Sequence, residues 1–141
     1  MRKSTGELDF ELKNTDDVHT FLQANEKEFD ENSFCKLLNR LVRESGKSKF
    51  DIAALSGISE PYMYNLLKAE KHPARDVVIK LAIGLSLGLE SSEHLLKLAG
   101  YSGFYIRHKR DSILKFAVDN QLGLTDTEDL LIKYGFSIMA D

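Results

Sequence analysis

The feature that most constrains this chain is an internal repeat. Shifting residues 75–101 onto residues 110–136, a gap-free offset of 35, leaves eleven identities in 27 positions. They include Arg75/Arg110, Asp76/Asp111, Lys80/Lys115, Ala82/Ala117, Gly88/Gly123, Glu93/Glu128 and Gly100/Gly135, with Leu87, Leu89, Leu95 and Leu96 matched by Leu122, Leu124, Leu130 and Leu131. Both stretches must therefore adopt the same local structure. Each copy reads as a helix, a Gly-Leu turn, a helix capped by Ser or Thr, and a glycine stop. The runs Ser91-Ser92-Glu93-His94 and Thr125-Asp126-Thr127-Glu128 place a capping hydroxyl and a carboxylate where a helix dipole favours them. Two copies are too few for a solenoid, so the reading is a pair of αα-hairpins stacked face to face. Leu95/Leu130 and Leu96/Leu131 should then be equally buried.

The rest of the chain is helical as well. It has two prolines, Pro61 and Pro73, and no stretch alternates apolar with polar residues as a half-buried strand would. Thr15-Asp16-Asp17 starts one N-terminal helix, with Val18, Phe21 and Leu22 on one face up to about Asn25, followed by an acidic connector over 26–32. From Ser33, the residues Phe34, Leu37, Leu38, Leu41 and Val42 form the stripe of an amphipathic helix that Gly46 stops. Short helices follow at about 48–56, 59–69 and 75–86. The fold class is all-α, in three parts: an acidic helix or arm over 1–32, a domain over 33–87, and a helical extension over 88–141 packed on the same core.

Charge is unevenly placed. Net charge is −3, but residues 1–32 hold four Lys/Arg against nine Asp/Glu, whereas residues 33–75 hold eight against four. A basic segment in an acidic chain is the footprint of an anion-contacting surface. The single cysteine, Cys35, excludes a disulfide within the chain, and the charged start, Met1 to Glu7, lacks the apolar run of a secretory signal. Cytoplasmic residence is expected, with no membrane span. His19, His72, His94 and His108 have no ligand spacing, so no metal or cofactor is expected. No constellation suggests catalysis, so the chain is expected not to be an enzyme and to have no catalytic residues.

The segment from Ser48 to Leu67 carries the chemistry. Ala53 is small where two helices must cross, and Gly57, four residues later, can take the positive φ that reverses the chain. Ile58, Met63 and Leu66 point inward. Ser59 caps the next helix, and Pro61 is tolerated in its first turn. Glu60, Pro61, Tyr64, Asn65 and Lys68 are left on the outer face, the one a docked helix-turn-helix places in the major groove.

On these residues, together with Pro73 and the Val77-Val78-Ile79-Lys80-Leu81-Ala82 helix, the chain resembles the Cro and lambda-repressor-like (XRE-type) helix-turn-helix family over about 33–87. The run Tyr62-x-Tyr64, Lys71-x-Pro73-x-Arg75-Asp76, Leu95-Leu96-Lys97-Leu98-Ala99-Gly100 and Arg110-Asp111 is similar to a bacterial group of stand-alone regulators of about this length. The resemblance implies five helices within 33–86, duplex DNA as partner, transcription regulation and a homodimer matched to two-fold operators. It implies base reading by Glu60, Pro61, Tyr64 and Asn65, and phosphate contacts by Lys49, Ser59, Lys68, Lys71 and Arg75. Glu60 and Pro61 stand where the family usually has Gln, Arg or Ser. A second reading is therefore kept: the same module as a protein-binding adaptor, through the helix bearing Tyr62 and Tyr64 or through the aromatic loop over 101–105.

Overall fold

In the computed structural model, which describes residues 2–29 and 33–141, nine α-helices and one short 3-10 turn account for the regular structure, with no strand among the described residues. The helices are α1 (Thr5–Lys13), α2 (Val18–Ala24), α3 (Ser33–Ser45), α4 (Lys49–Ser56), α5 (Glu60–Leu67), α6 (Arg75–Gly84), α7 (Leu89–Leu98), α8 (Lys109–Asp119) and α9 (Leu124–Lys133). They form two compact units, Met1–Glu31 and Asn32–Asp141.

The first unit has two helices where the sequence reading places one. Ser4 caps α1 by accepting the Glu7 N–H at 3.1 Å, and Asp17 caps α2 by accepting the His19 N–H at 3.2 Å. α1 buries no residue, so it has no apolar stripe for periodicity to find. Polar contacts hold it instead. Lys3 Nζ donates to Glu11 and to Asn25, each at 2.6 Å, and the Asn25 amide donates back to Glu11 at 2.9 Å. The Lys3 ammonium, then the Asn25 amide, hold the Glu11 carboxyl below its ordinary value.

In the second unit α6 is the shared spine. Val77, Leu81 and Leu85 enter a core with Leu38, Val42, Ile52, Met63 and Leu66 from α3, α4 and α5. Val78, Ile79 and Ile83 enter a second core with Leu95, Leu96, Leu114 and Leu131 from α7, α8 and α9. Every residue over 77–85 is buried, which is why that stretch is apolar on all sides. The buried exception, Lys80, pairs its ammonium with Asp141. Gly84 lets α4 and α6 approach closely, since a Cβ there would lie 2.9 Å from the Ser56 backbone nitrogen. Residues 33–86 hold four helices rather than five; the next helix is α7, beginning at Leu89.

The repeat shows in the element bounds, because α7 shifted by 35 falls on α9 and the end of α6 falls on the end of α8. Leu87 N–H bonds Ala82 O at 3.0 Å, and its counterpart Leu122 bonds Ala117 O at 2.9 Å. The helix starts differ from expectation. Gly88 and Gly123 occupy the N-cap positions, and the hydroxyls of Ser92 and Thr127 donate back to those glycine carbonyls at 2.8 Å each. Leu96 and Leu131 are alike in burial, but Leu130 is only half-buried where Leu95 is fully buried. The two copies touch reciprocally: α6 packs on α9 while α7 packs on α8. Arg75 pairs with Asp111, and its counterpart Arg110 pairs with Asp76. Reciprocal contact of this kind is the signature of a two-fold related pair, here inside one chain.

Candidate functional site

α4 and α5 meet at a tight reversal. Ser48 caps α4, accepting the Asp51 N–H at 3.0 Å, so Lys49 is its first residue and lies exposed. Ile52, Ala53 and Ser56 turn inward. Gly57 then takes φ 67°, ψ 30°, and the Ile58 N–H reaches back to Ala53 O at 3.0 Å, closing the end of α4. Ser59 caps α5 by accepting the Tyr62 N–H at 3.2 Å, with Pro61 in the first turn. Met63, Leu66 and Leu67 face the core. The far end of α5 is fastened to α3, since Cys35 Sγ donates to Leu67 O at 3.0 Å and Asn39 Nδ2 donates to the same oxygen at 2.9 Å. α5 is thus fixed at both ends.

Its outer face carries Glu60, Pro61, Tyr64 and Asn65, with Lys68 and Lys71 just beyond its end, and all six are exposed. Lys49 Nζ lies 5.3 Å from the centre of the Tyr64 ring, so a cation from the start of α4 rests on the outer face of α5. Ser59 keeps its hydroxyl at the rim, engaged as a cap acceptor and still able to donate.

Two sequence assignments change. Arg75 does not join the phosphate set, because its guanidinium is held by Asp111 at 2.9 and 3.0 Å, by Gly103 O at 3.1 Å, and over the Phe104 ring. Its charge is spent inside the hairpin pair, with 24% of the side chain exposed. Tyr62 is half-buried and packed against the first core, so of the two tyrosines only Tyr64 is available on the surface of α5. Burial first, then the charge of Asp141 and the neighbouring Tyr101, raise the Tyr62 hydroxyl above its ordinary value. The aromatic loop divides: Phe104 is buried, Tyr101 Oη donates to Pro73 O at 2.7 Å, and Tyr105 is 51% exposed.

The sequence reading also missed two exposed apolar residues of α4, Phe50 at 62% and Leu55 at 49%. Phe50 follows Lys49 and lacks any helical stripe on its side, which is the only signal the sequence holds for it. Among the described residues no three His, Cys, Asp or Glu side chains converge in a way that could hold a metal ion, and no helix is long and apolar enough to cross a membrane. Comparison with protein-family models, with curated proteins and with solved structures gives no match to this chain.

Proposed function

We propose that this chain is a cytoplasmic, non-enzymatic regulator that binds duplex DNA through the outer face of α5, using α4 and α5 as a repressor-type helix-turn-helix. The observation that carries the reading is the rigid display of polar side chains on a helix fixed at both ends, with the Lys49 ammonium resting on Tyr64. Asn65 has the amide geometry to bridge adenine N6 and N7, and Glu60 can accept from cytosine N4. Lys49, Ser59, Lys68 and Lys71 supply contacts to phosphates, which position the helix without reading sequence. A homodimer would match the two-fold symmetry of operators. Salt titration of binding to pooled random duplexes tests this reading, because each phosphate contact adds to the slope of log affinity against log salt.

A second reading rests on Phe50 and Leu55, which add exposed apolar surface to α4. Desolvated aromatic and aliphatic anchors are features of protein interfaces. In that reading α4 receives a protein, and affinity for random duplexes is missing even in low salt.

A further inference from the structure

A second basic element lies outside the α4–α5 face. Between α7 and α8 the chain presents Tyr105, Ile106, Arg107, His108 and Lys109, all exposed, with Ile106 at 66%. The loop is held in one shape. The His108 N–H closes a turn on Tyr105 O at 3.0 Å, the Tyr105 N–H donates to Asp111 at 2.8 Å, Ser112 Oγ donates to Ile106 O, and Arg75 grips Gly103 O. Among the described residues neither Arg107 nor Lys109 has an ion-pair partner, whereas the neighbouring Arg110 is consumed by Asp76. The nearby carboxylate of Asp111 is taken by Arg75, which leaves Glu93, half-buried beside Gly103, as the acidic group lining the adjoining hollow.

Position gives this patch a meaning. The reciprocal pairs Arg75–Asp111 and Arg110–Asp76 bring the starts of α6 and α8 side by side. The segments entering those helices therefore leave from the same end of the unit. One carries Lys68, Lys71 and His72 away from the end of α5; the other carries Arg107, His108 and Lys109. Their bases are joined, because Tyr101 Oη bonds Pro73 O and the Tyr101 ring lies 6.0 Å from that of His72. In a chain of net charge −3, the exposed Lys68 and Lys71 thus lie on the segment leading into α6 and the exposed Arg107 and Lys109 on the segment leading into α8, with Glu70 the only acidic residue over 68–74.

We propose that the 105–109 loop is a second phosphate-contacting element, which grips the backbone of the duplex that α5 faces and lengthens its footprint. This rests on the DNA reading of α5. A rigid loop with unpaired cations suits a polyanion, since ordering is already complete and phosphates release counterions when neutralised. The exposed Tyr105 and Ile106 supply apolar contact to sugar edges.

The test uses the full chain and a duplex of random sequence, comparing wild type with the Arg107→Ala/Lys109→Ala double variant and with Lys49→Ala. Both positions of the double variant are exposed and make no side-chain ion pair or hydrogen bond among the described residues, so folding should be retained, as circular dichroism would verify. The expected result is a salt slope reduced by about two in the double variant, with affinity lower by on the order of tenfold per lost contact in about 0.1 M salt. Binding lost in the double variant but untouched by Lys49→Ala would keep the loop as a DNA element and remove the α5 reading. An unchanged slope in the double variant, beside a reduced one in Lys49→Ala, overturns the proposal and leaves Tyr105 and Ile106 to a protein partner. No duplex binding by wild type overturns both.

Discussion

The guanidinium of Arg75 binds the carboxylate of Asp111 through two nitrogens, at 2.9 and 3.0 Å, and the pair sits where two copies of one sequence unit cross. Asp111 is 7% exposed, and its carboxylate also accepts the Tyr105 N–H. Removing one partner of such a bidentate pair leaves the other charge buried and unmatched.

Arg75→Ala is therefore expected to cost about 2–4 kcal/mol of folding stability, and Asp111→Asn a similar amount. Burial pushes the Asp111 carboxyl up, but the Arg75 guanidinium and the Tyr105 N–H outweigh it, and the net displacement is downward. A carboxyl lowered in the folded state stabilises above its unfolded value, and that contribution is lost as pH falls through the folded one. Denaturant titrations of wild type and Asp111→Asn should differ at pH 7 and converge below about pH 4. A constant difference across that range would mean the pair contributes through shape rather than charge.

The two copies should respond unequally to matched substitutions. Leu81 is fully buried between α4 and α6, while its counterpart Phe116 is 57% exposed. The other residues there, Val77 of α6 and Leu85 capping its end, have Ser112 and Asn120 as counterparts, and Gly84 has Asp119. The second copy has thus lost the face on which α4 packs, as terminal repeats do. Leu81→Ala should cost about 2–5 kcal/mol and Phe116→Ala less than about 1. Thermal or denaturant unfolding would measure both, and equal costs would show that Phe116 is covered in solution.

Much of this architecture is legible in the sequence, and the failures share a cause. The stripes of α3 and the glycine stops that follow them are strong because apolar burial sets both. The repeat places α8 and α9 even where the local pattern is weak. α1 escapes because Lys3, Glu11 and Asn25 hold it by polar contacts, which leave no periodicity. The starts of α7 and α9 lie earlier in the chain than a capping reading of the hydroxyls suggests, because Ser92 and Thr127 donate backward to glycine carbonyls from within the helix. Arg75 could be assigned only with Asp111 in view, 36 residues away. The outer face of α5 follows from spacing alone, whereas the exposure of Phe50 and the free cations of the 105–109 loop depend on tertiary packing.

Gly57→Val should destabilise the chain by at least about 1 kcal/mol. The position has φ 67°, and an added Cβ would come within 2.5 Å of Leu124 Cδ2. A β-branched residue is poorly suited to that region, and Leu124 must shift to admit it. If strain and contact both matter, Leu124→Ala should recover part of the loss in the double variant. Full additivity of the two substitutions would assign the whole cost to backbone conformation.

The substitutions on α5 and at the start of α4 separate the two functional readings. Lys49→Ala should weaken binding to all duplexes alike and lower the salt slope by about one. Asn65→Ala should instead remove roughly 1–3 kcal/mol of preference at one base pair, with little change in slope. Glu60 places a carboxylate toward a polyanion, so Glu60→Gln should strengthen binding to random duplexes unless Glu60 holds a cytosine amine, in which case preference at that base pair falls. Tyr64→Phe should keep the ring beneath the Lys49 ammonium and preserve affinity, while Tyr64→Ala should release that ammonium and lower it. The adaptor reading expects another pattern: no duplex binding in about 50 mM salt, where weak phosphate contacts are favoured, and partner binding lost with Phe50→Ala or Tyr64→Ala. Fluorescence anisotropy across a salt series, on these six variants, decides between them.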